Sequence, residues 1–178
     1  MHKNIQTIYQ ETIAFAALKH GNQKMPTGLP YVVHLSNVAM EVFMTHKKEP
    51  NFNIELAIQL ALLHDVLEDT PLSFKELEDT FCNIVATVVL ALTKNASLDK
   101  KDQMQDSLAR IVKQGKEVAI VKLCDRITNL QKPPLKWNKE KIKKYHLQAV
   151  VIAQALGGKN SYLDNRIQEK IKAYTAFV

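Results

Sequence analysis

The chain has 178 residues, 46% of them apolar, and a formal charge of +6, which is enough hydrophobic material for a core and too much for a disordered segment. No run approaches the roughly 20 apolar residues of a membrane span, and the first residues lack a signal-peptide core; no membrane partner is expected, and a cytoplasmic location is the default. The positive balance suits an anionic partner, whether nucleotide, nucleic acid or lipid head group, without choosing among them.

Few glycines and prolines and few β-branched runs point towards helices. Ile8, Thr12, Phe15, Ala16 and Leu18 recur at helical spacing between Ile5 and Lys19, and Gly21 ends that helix. Asn22 to Pro30 is a loop by its Gly and Pro content. A second helix is predicted from about Val32 to His46, and Glu49-Pro50-Asn51 breaks the chain after it. The next helix starts near Leu56 and runs into Ala61-Leu62-Leu63-His64-Asp65-Val66-Leu67-Glu68-Asp69-Thr70, where an apolar run ends in a histidine and three carboxylates. Ser73 and Glu76 have capping-box spacing for a short helix. Ile84 to Leu92 is rich in valine, yet no second strand offers itself, so a buried helix is expected. Asn95 to Lys101 is a polar loop. Further helices are predicted near 102–113, 117–130, 138–156 and 162–177, with Pro133-Pro134 and Gly157-Gly158 as breaks. The whole reads as one all-α domain, 1–178, a bundle of about nine to ten helices.

Cys82 and Cys124 belong to no paired motif and are expected to be small buried residues in a reducing compartment. The run from Lys132 to Lys144 holds six lysines and one glutamate; it is expected to be a solvated helix face, with Lys141 or Lys144 as a lesser candidate for attracting polyphosphate. No recognition helix or aromatic-basic interleaving suited to nucleic acid is found.

Four titratable groups at the end of an apolar helix are expensive to bury unless paired, and a cation pairs them economically. His64 and Glu68 are four apart, as are Asp65 and Asp69, so each pair shares a face if the helix persists. Two other polar residues sit in apolar surroundings: His34, after Pro30-Tyr31, and Asp125, inside Val121-Lys122-Leu123-Cys124-Asp125-Arg126. Taken singly, His34 reads as a cap or satisfied core residue and Asp125 as half of an ion pair. Together with His64 and Asp65 they offer two imidazoles and two carboxylates from three helices, a mixed set that suits Mn, Fe or Zn better than Ca.

The order His34, then His64-Asp65, then Asp125 resembles the HD superfamily of metal-dependent phosphohydrolases. Lys19-His20 with Gln23, Gly28-Leu29-Pro30-Tyr31, His64-Asp65 followed by Glu68-Asp69, Leu92-Thr93-Lys94, and Asp125-Arg126 with Asn129-Leu130 are similar to the hydrolase domain of the RelA/SpoT enzymes and to the stand-alone small alarmone hydrolases. That resemblance covers almost the whole chain. It implies Mn²⁺-dependent release of pyrophosphate from the 3′ position of a nucleotide with phosphates at 5′ and 3′, such as (p)ppGpp, other divalent transition metals being possible. It implies His34, His64, Asp65 and Asp125 as metal ligands, Glu68 and Asp69 as the groups that activate water, and Lys24, Tyr31, Lys100, Asn129 and Tyr145 as substrate contacts. Members acting on guanosine tetraphosphate usually carry Arg-Lys before Gly-x-Pro-Tyr. This chain has Met25-Pro26 there, which removes a stacking cation and brings adenosine alarmones, (pp)pApp, forward as substrates. Two alternatives stay open, another HD-type phosphohydrolase such as a 5′-nucleotidase and a nucleotide sensor without turnover. The oligomeric state is not legible.

Overall fold

Residues 4–178 are described by a computed structural model. Among them are ten α-helices: α1 (Ile5–His20), α2 (Val32–Lys48), α3 (Ile54–Leu63), α4 (Val66–Asp69), α5 (Phe74–Phe81), α6 (Asn83–Leu92), α7 (Gln103–Val112), α8 (Lys116–Asn129), α9 (Lys139–Leu156) and α10 (Ser161–Tyr174), closed by a 3-10 turn at Thr175–Phe177. Paired extended backbone among these residues is limited to one bridge, Lys24 with Pro30. The all-α expectation holds, including a helix rather than a strand over the valine-rich α6.

The centre is α3. Its residues from Leu60 to Leu63 are all fully buried, as an apolar sequence without a polar stripe requires. It packs against α1, α2, α6 and α8. Beside it α8 is buried along nearly its whole length, from Val118 to Thr128, so Asp125 on that helix lies inside the bundle. The predicted capping box is formed: the Ser73 hydroxyl accepts from the Glu76 N–H, and the Glu76 carboxylate accepts from the Ser73 N–H. Cys124 is buried, but Cys82 is exposed. The reason is local: Cys82 takes φ 95° at the hinge between α5 and α6, so its side chain leaves the core side there.

Two long-range polar contacts fix the ends of helices near the polar centre. Arg110 on α7 donates to the carbonyls of Leu90, Ala91 and Thr93 at the C-terminus of α6, at 2.6, 3.1 and 2.7 Å. This holds the turn that presents Lys94. At the other end of the bundle, Glu49 accepts from the N–H groups of Ser161 and Tyr162 at 2.8 and 3.1 Å, joining the end of α2 to the start of α10. No helix of the described residues is long and apolar enough to cross a membrane.

Candidate active site

The helix does not persist through the central motif. The Ala61 carbonyl, which a continuing helix would offer to the N–H of Asp65, instead accepts from Nδ1–H of His64 at 2.8 Å. That contact ends α3 at Leu63 and leaves Asp65 to start α4, the Asp69 N–H returning to the Asp65 carbonyl at 2.9 Å. His64 and Asp65, neighbours in sequence, therefore face one centre together, rather than each sharing a face with the residue four further on. The same hydrogen bond commits Nδ1 as donor and aims Nε2 into the site.

His34 from α2, His64 and Asp65 from the α3–α4 junction, and Asp125 from α8 converge there. Nε2 of His34 is 3.2 Å from Nε2 of His64, 3.7 Å from Oδ2 of Asp65 and 3.4 Å from Oδ1 of Asp125. Nε2 of His64 is 2.9 Å from Oδ2 of Asp65 and 3.8 Å from Oδ1 of Asp125. His34, His64 and Asp125 each offer one atom to a common point, and all three are buried. Two nitrogens each about 2.1 Å from one ion lie roughly 3.0–3.4 Å apart, so the imidazole spacing fits a shared divalent cation. The donor set fits as well: two imidazoles and two carboxylates, with His34, His64 and Asp125 buried and Asp65 half-buried.

The surrounding side chains orient the ligands. Tyr31 donates its hydroxyl to Oδ2 of Asp65 at 2.5 Å; burial and then the Asp65 charge push the phenol far above its ordinary range, so it stays a donor. Lys122, one turn before Asp125, donates to its Oδ2 at 3.1 Å, and Asn129, one turn after, donates to its Oδ1 at 2.5 Å. Burial opposes ionisation of Asp125, but Lys122 and the two imidazoles outweigh it and hold the carboxyl well below the usual range. The ion-pair partner of Asp125 is thus Lys122, not the adjacent Arg126. Burial would also lower His64, yet Asp65 above all holds the imidazole up at about 9.

That value carries a sign. It lies above the unfolded value of about 6.5, so protonation of His64 stabilises the metal-free fold below pH 6.5 and is lost as pH rises through 9. A cation at Nε2 must displace this proton. The melting-point gain from added Mn²⁺ over chelator is therefore expected to grow between pH 6 and 8.5, by up to about 1.4 kcal/mol per pH unit for one proton released. A gain that is flat across this window would take His64 out of the ligand set.

Around the cluster, Glu68 and Asp69 face solvent. Lys94 reaches Glu68 twice, its ammonium paired with Oε1 and its backbone N–H donating to Oε2 at 3.1 Å. Although burial works against its charge, Glu68 raises the Lys94 pKa, and the ammonium persists. Asp69 accepts from the Gln23 amide at 2.9 Å, and Gln23 in turn accepts from His20 Nδ1 at 2.7 Å, whose ring stacks on Tyr31.

Five residues were expected to touch substrate, and they divide. Asn129 stands at the open edge of the cluster, bound to Asp125. Tyr145 lies beneath the Arg126 guanidinium, 4.3 Å from its ring centroid, and against Trp137. Tyr31 spends its hydroxyl on Asp65. Lys24 is exposed, at the bridge that closes a turn in which Gly28 takes φ 89°. Lys100 is exposed on the loop between α6 and α7, and no hydrogen bond or ion pair among the described residues ties it to the cluster. The lysine that does reach the site from this part of the chain is Lys94, at the start of that loop. Its position after α6 is set by Arg110, a pairing that no local sequence signal announces. Lys122 had a signal, a lysine one turn from a buried aspartate in an apolar helix.

The lysine run is also divided. Lys136, Lys141 and Lys144 line an open cleft of about 530 Å³ together with Asn138, Glu140, Tyr145 and Gln148. All six lysines of the run are exposed, as expected of a solvated face, and Lys132, Lys139 and Lys143 lie outside this cleft. A second cleft, about 660 Å³, lies between Pro26-Thr27 and residues 131–136.

Residues 12–157 match the model of the HD domain. The chain belongs to the HD-domain family. Among proteins of this family, it is 33% identical over 175 residues to the guanosine-3′,5′-bis(diphosphate) 3′-pyrophosphohydrolase MESH1 of Danio rerio, with 95% of each chain covered. It is 35% identical over 128 residues to guanosine-3′,5′-bis(diphosphate) 3′-pyrophosphohydrolase of Aquifex aeolicus, covering 68% of this chain and 17% of that one. In three dimensions it superposes, with TM-score 0.81 and 28% identity over 97% of both chains, on a metazoan ortholog of SpoT that hydrolyzes ppGpp. The HD-domain match, together with these relatives, places the chain with the small alarmone hydrolases, and the fold with theirs.

Proposed function

We propose that this HD-domain protein releases pyrophosphate from the 3′ position of (p)ppGpp-type nucleotides, with Mn²⁺ as its cation and adenosine alarmones as preferred substrates. The observation that carries the reading is the convergence of His34, His64 and Asp125 on one point, with Asp65 2.9 Å from His64 and Glu68 held at both oxygens by Lys94. A divalent cation bound there acidifies the attacking water and offsets charge on the phosphoryl oxygens. The chain's own groups do the rest. Glu68 and Asp69, oriented by Lys94 and Gln23, take the proton as the water oxygen bonds to the phosphorus on O3′. The P–O3′ bond breaks, the proton returns to the ribose oxygen, and pyrophosphate leaves. Tyr31 positions Asp65, and Asn129 and Lys122 position Asp125.

Base preference rests on the cleft walled by Pro26-Thr27 and by Gln131 to Lys136, which is large enough for a nucleoside and contains no arginine. Its apolar wall, Pro26, Pro133, Pro134 and Leu135, stands beside Thr27, Gln131, Lys132 and Lys136, and no guanidinium is there to stack on a purine or pair bidentately with guanine acceptors. The neighbouring cleft with Lys136, Lys141 and Lys144 is suited to the 5′-phosphates.

Product analysis with Mn²⁺ tests the reaction: pyrophosphate and a nucleoside 5′-diphosphate are expected from a 3′,5′-bis(diphosphate). Orthophosphate from a nucleoside monophosphate would instead indicate a 5′-nucleotidase, and binding without turnover a sensor. In side-by-side assays, kcat/KM for the adenosine substrate is expected to equal or exceed that for guanosine, and Met25→Arg to shift the ratio towards guanosine by about 10-fold, the scale of one cation–π contact. A strong guanosine preference in the unmodified chain would remove the adenosine assignment and leave the reaction intact.

A further inference from the structure

Beside the cluster lies a small cavity of about 70 Å³, lined by Lys94, Lys122 and Arg126 together with Ser107, Gln148 and apolar residues that include Met104. We propose that this cavity receives the terminal phosphoryl group of the departing pyrophosphate, with Arg126 as its principal donor. The assignment rests on the 3′-pyrophosphohydrolase reading above.

Arg126 follows Asp125 on α8, so its side chain leaves the helix about 100° further round, towards α9 rather than into the cluster. It is 9% exposed. Two of its donor atoms, Nε and Nη1, are buried and lack a hydrogen-bond partner. A guanidinium cannot shed its proton to escape that situation. The Tyr145 face at 4.3 Å compensates part of the charge but accepts no hydrogen bond in the plane of the fork. A buried fork with open donors is costly to keep, and an oxyanion is the partner whose geometry matches it.

Size and surroundings narrow the choice. The cavity holds roughly two waters' worth of space, sufficient for one phosphoryl group and too small for a base or ribose. No carboxylate is among its lining residues. Both lysines in its wall also touch the active site, Lys94 through Glu68 and Lys122 through Asp125. A group bound between them is therefore one side chain away from the proposed base and from a metal ligand. Pyrophosphate has this arrangement, with one phosphoryl reacting at the cluster and the other joined to it by a single oxygen. Held in the cavity, the second phosphoryl would keep its own charge paired while the first passes from O3′ to the water oxygen.

Calorimetric titration tests this with the Mn²⁺-loaded full chain, using inorganic pyrophosphate as one probe and guanosine 5′-diphosphate as the other. Arg126→Gln is expected to weaken pyrophosphate binding about 10- to 100-fold, the scale of charge-assisted hydrogen bonds, with Arg126→Lys recovering part of it. Met104→Trp, which fills the cavity and removes no charge, is expected to weaken pyrophosphate similarly and decides the matter if Arg126→Gln does not fold. Nucleoside diphosphate binding should change less than about threefold in all three. Unchanged pyrophosphate affinity in a folded, metal-replete Arg126→Gln or Met104→Trp protein overturns the proposal, as does a loss that falls on the nucleoside diphosphate. Turnover of the 3′,5′-bis(diphosphate) alongside such unchanged affinity removes the pocket assignment alone. Arg126-dependent pyrophosphate binding in a protein that cleaves no such substrate removes the reaction and leaves the anion site.

Discussion

Asp125→Ala is expected to empty the metal site and to lower turnover at least roughly a thousandfold, since the Lewis acid is worth several kcal/mol to a phosphoryl transfer. Asp125 is the donor that α8 would contribute, with Oδ1 3.4 and 3.8 Å from Nε2 of His34 and His64. Without it the remaining donors come from α2 and the α3–α4 junction, on one side of the ion. The helix itself should survive. Val121, Leu123 and Ile127 keep α8 in the core, so far-UV circular dichroism should match the parent chain. Elemental analysis is expected to fall from roughly one ion per chain to near none. Retention of the ion, or of a tenth of the activity, would show that this aspartate serves α8 through Lys122 rather than the metal.

Glu68→Gln separates metal binding from proton transfer. The substitution keeps the shape of the side chain and an oxygen for the Lys94 N–H to reach, but removes the basic carboxylate. Metal content should therefore be unchanged while kcat falls about 10²–10⁴-fold, the range for loss of a general base. Lys94→Met serves as a comparison: it leaves the carboxylate in place without its orienting cation, so a smaller loss is expected. Turnover of Glu68→Gln within threefold of the parent would assign the proton to another group, with Asp69, held by Gln23, the nearest candidate.

The helical class, the breaks marked by Gly and Pro and the Ser73 cap were legible, because periodicity, Gly and Pro placement and capping chemistry act over a few residues. So was the suspicion that His34 and Asp125 belong with His64-Asp65, since polar groups in apolar helices require a partner. The course of the chain after Leu63 was not. Spacing by fours suggested a continuing helix with paired faces, whereas a side chain, His64, takes the Ala61 carbonyl and turns the chain, a competition between ring and backbone donors that periodicity does not register. Lys94 was equally hidden as the partner of Glu68. Its approach is decided by α6 ending where Arg110, from another helix, satisfies its carbonyls.

Sequence alone determined the materials: an all-helical chain with a central helix whose last turn is apolar, and imidazole and carboxylate groups placed where water could not serve them. Only the tertiary structure decided which of those groups meet, which lysine attends which carboxylate, and that Arg126 turns away from its neighbour Asp125 to leave two donors open. Local pattern governs the first because helix formation and burial are settled within a few turns. The second depends on distances between helices far apart along the chain, which are fixed by how the core packs and are written in no single stretch of it.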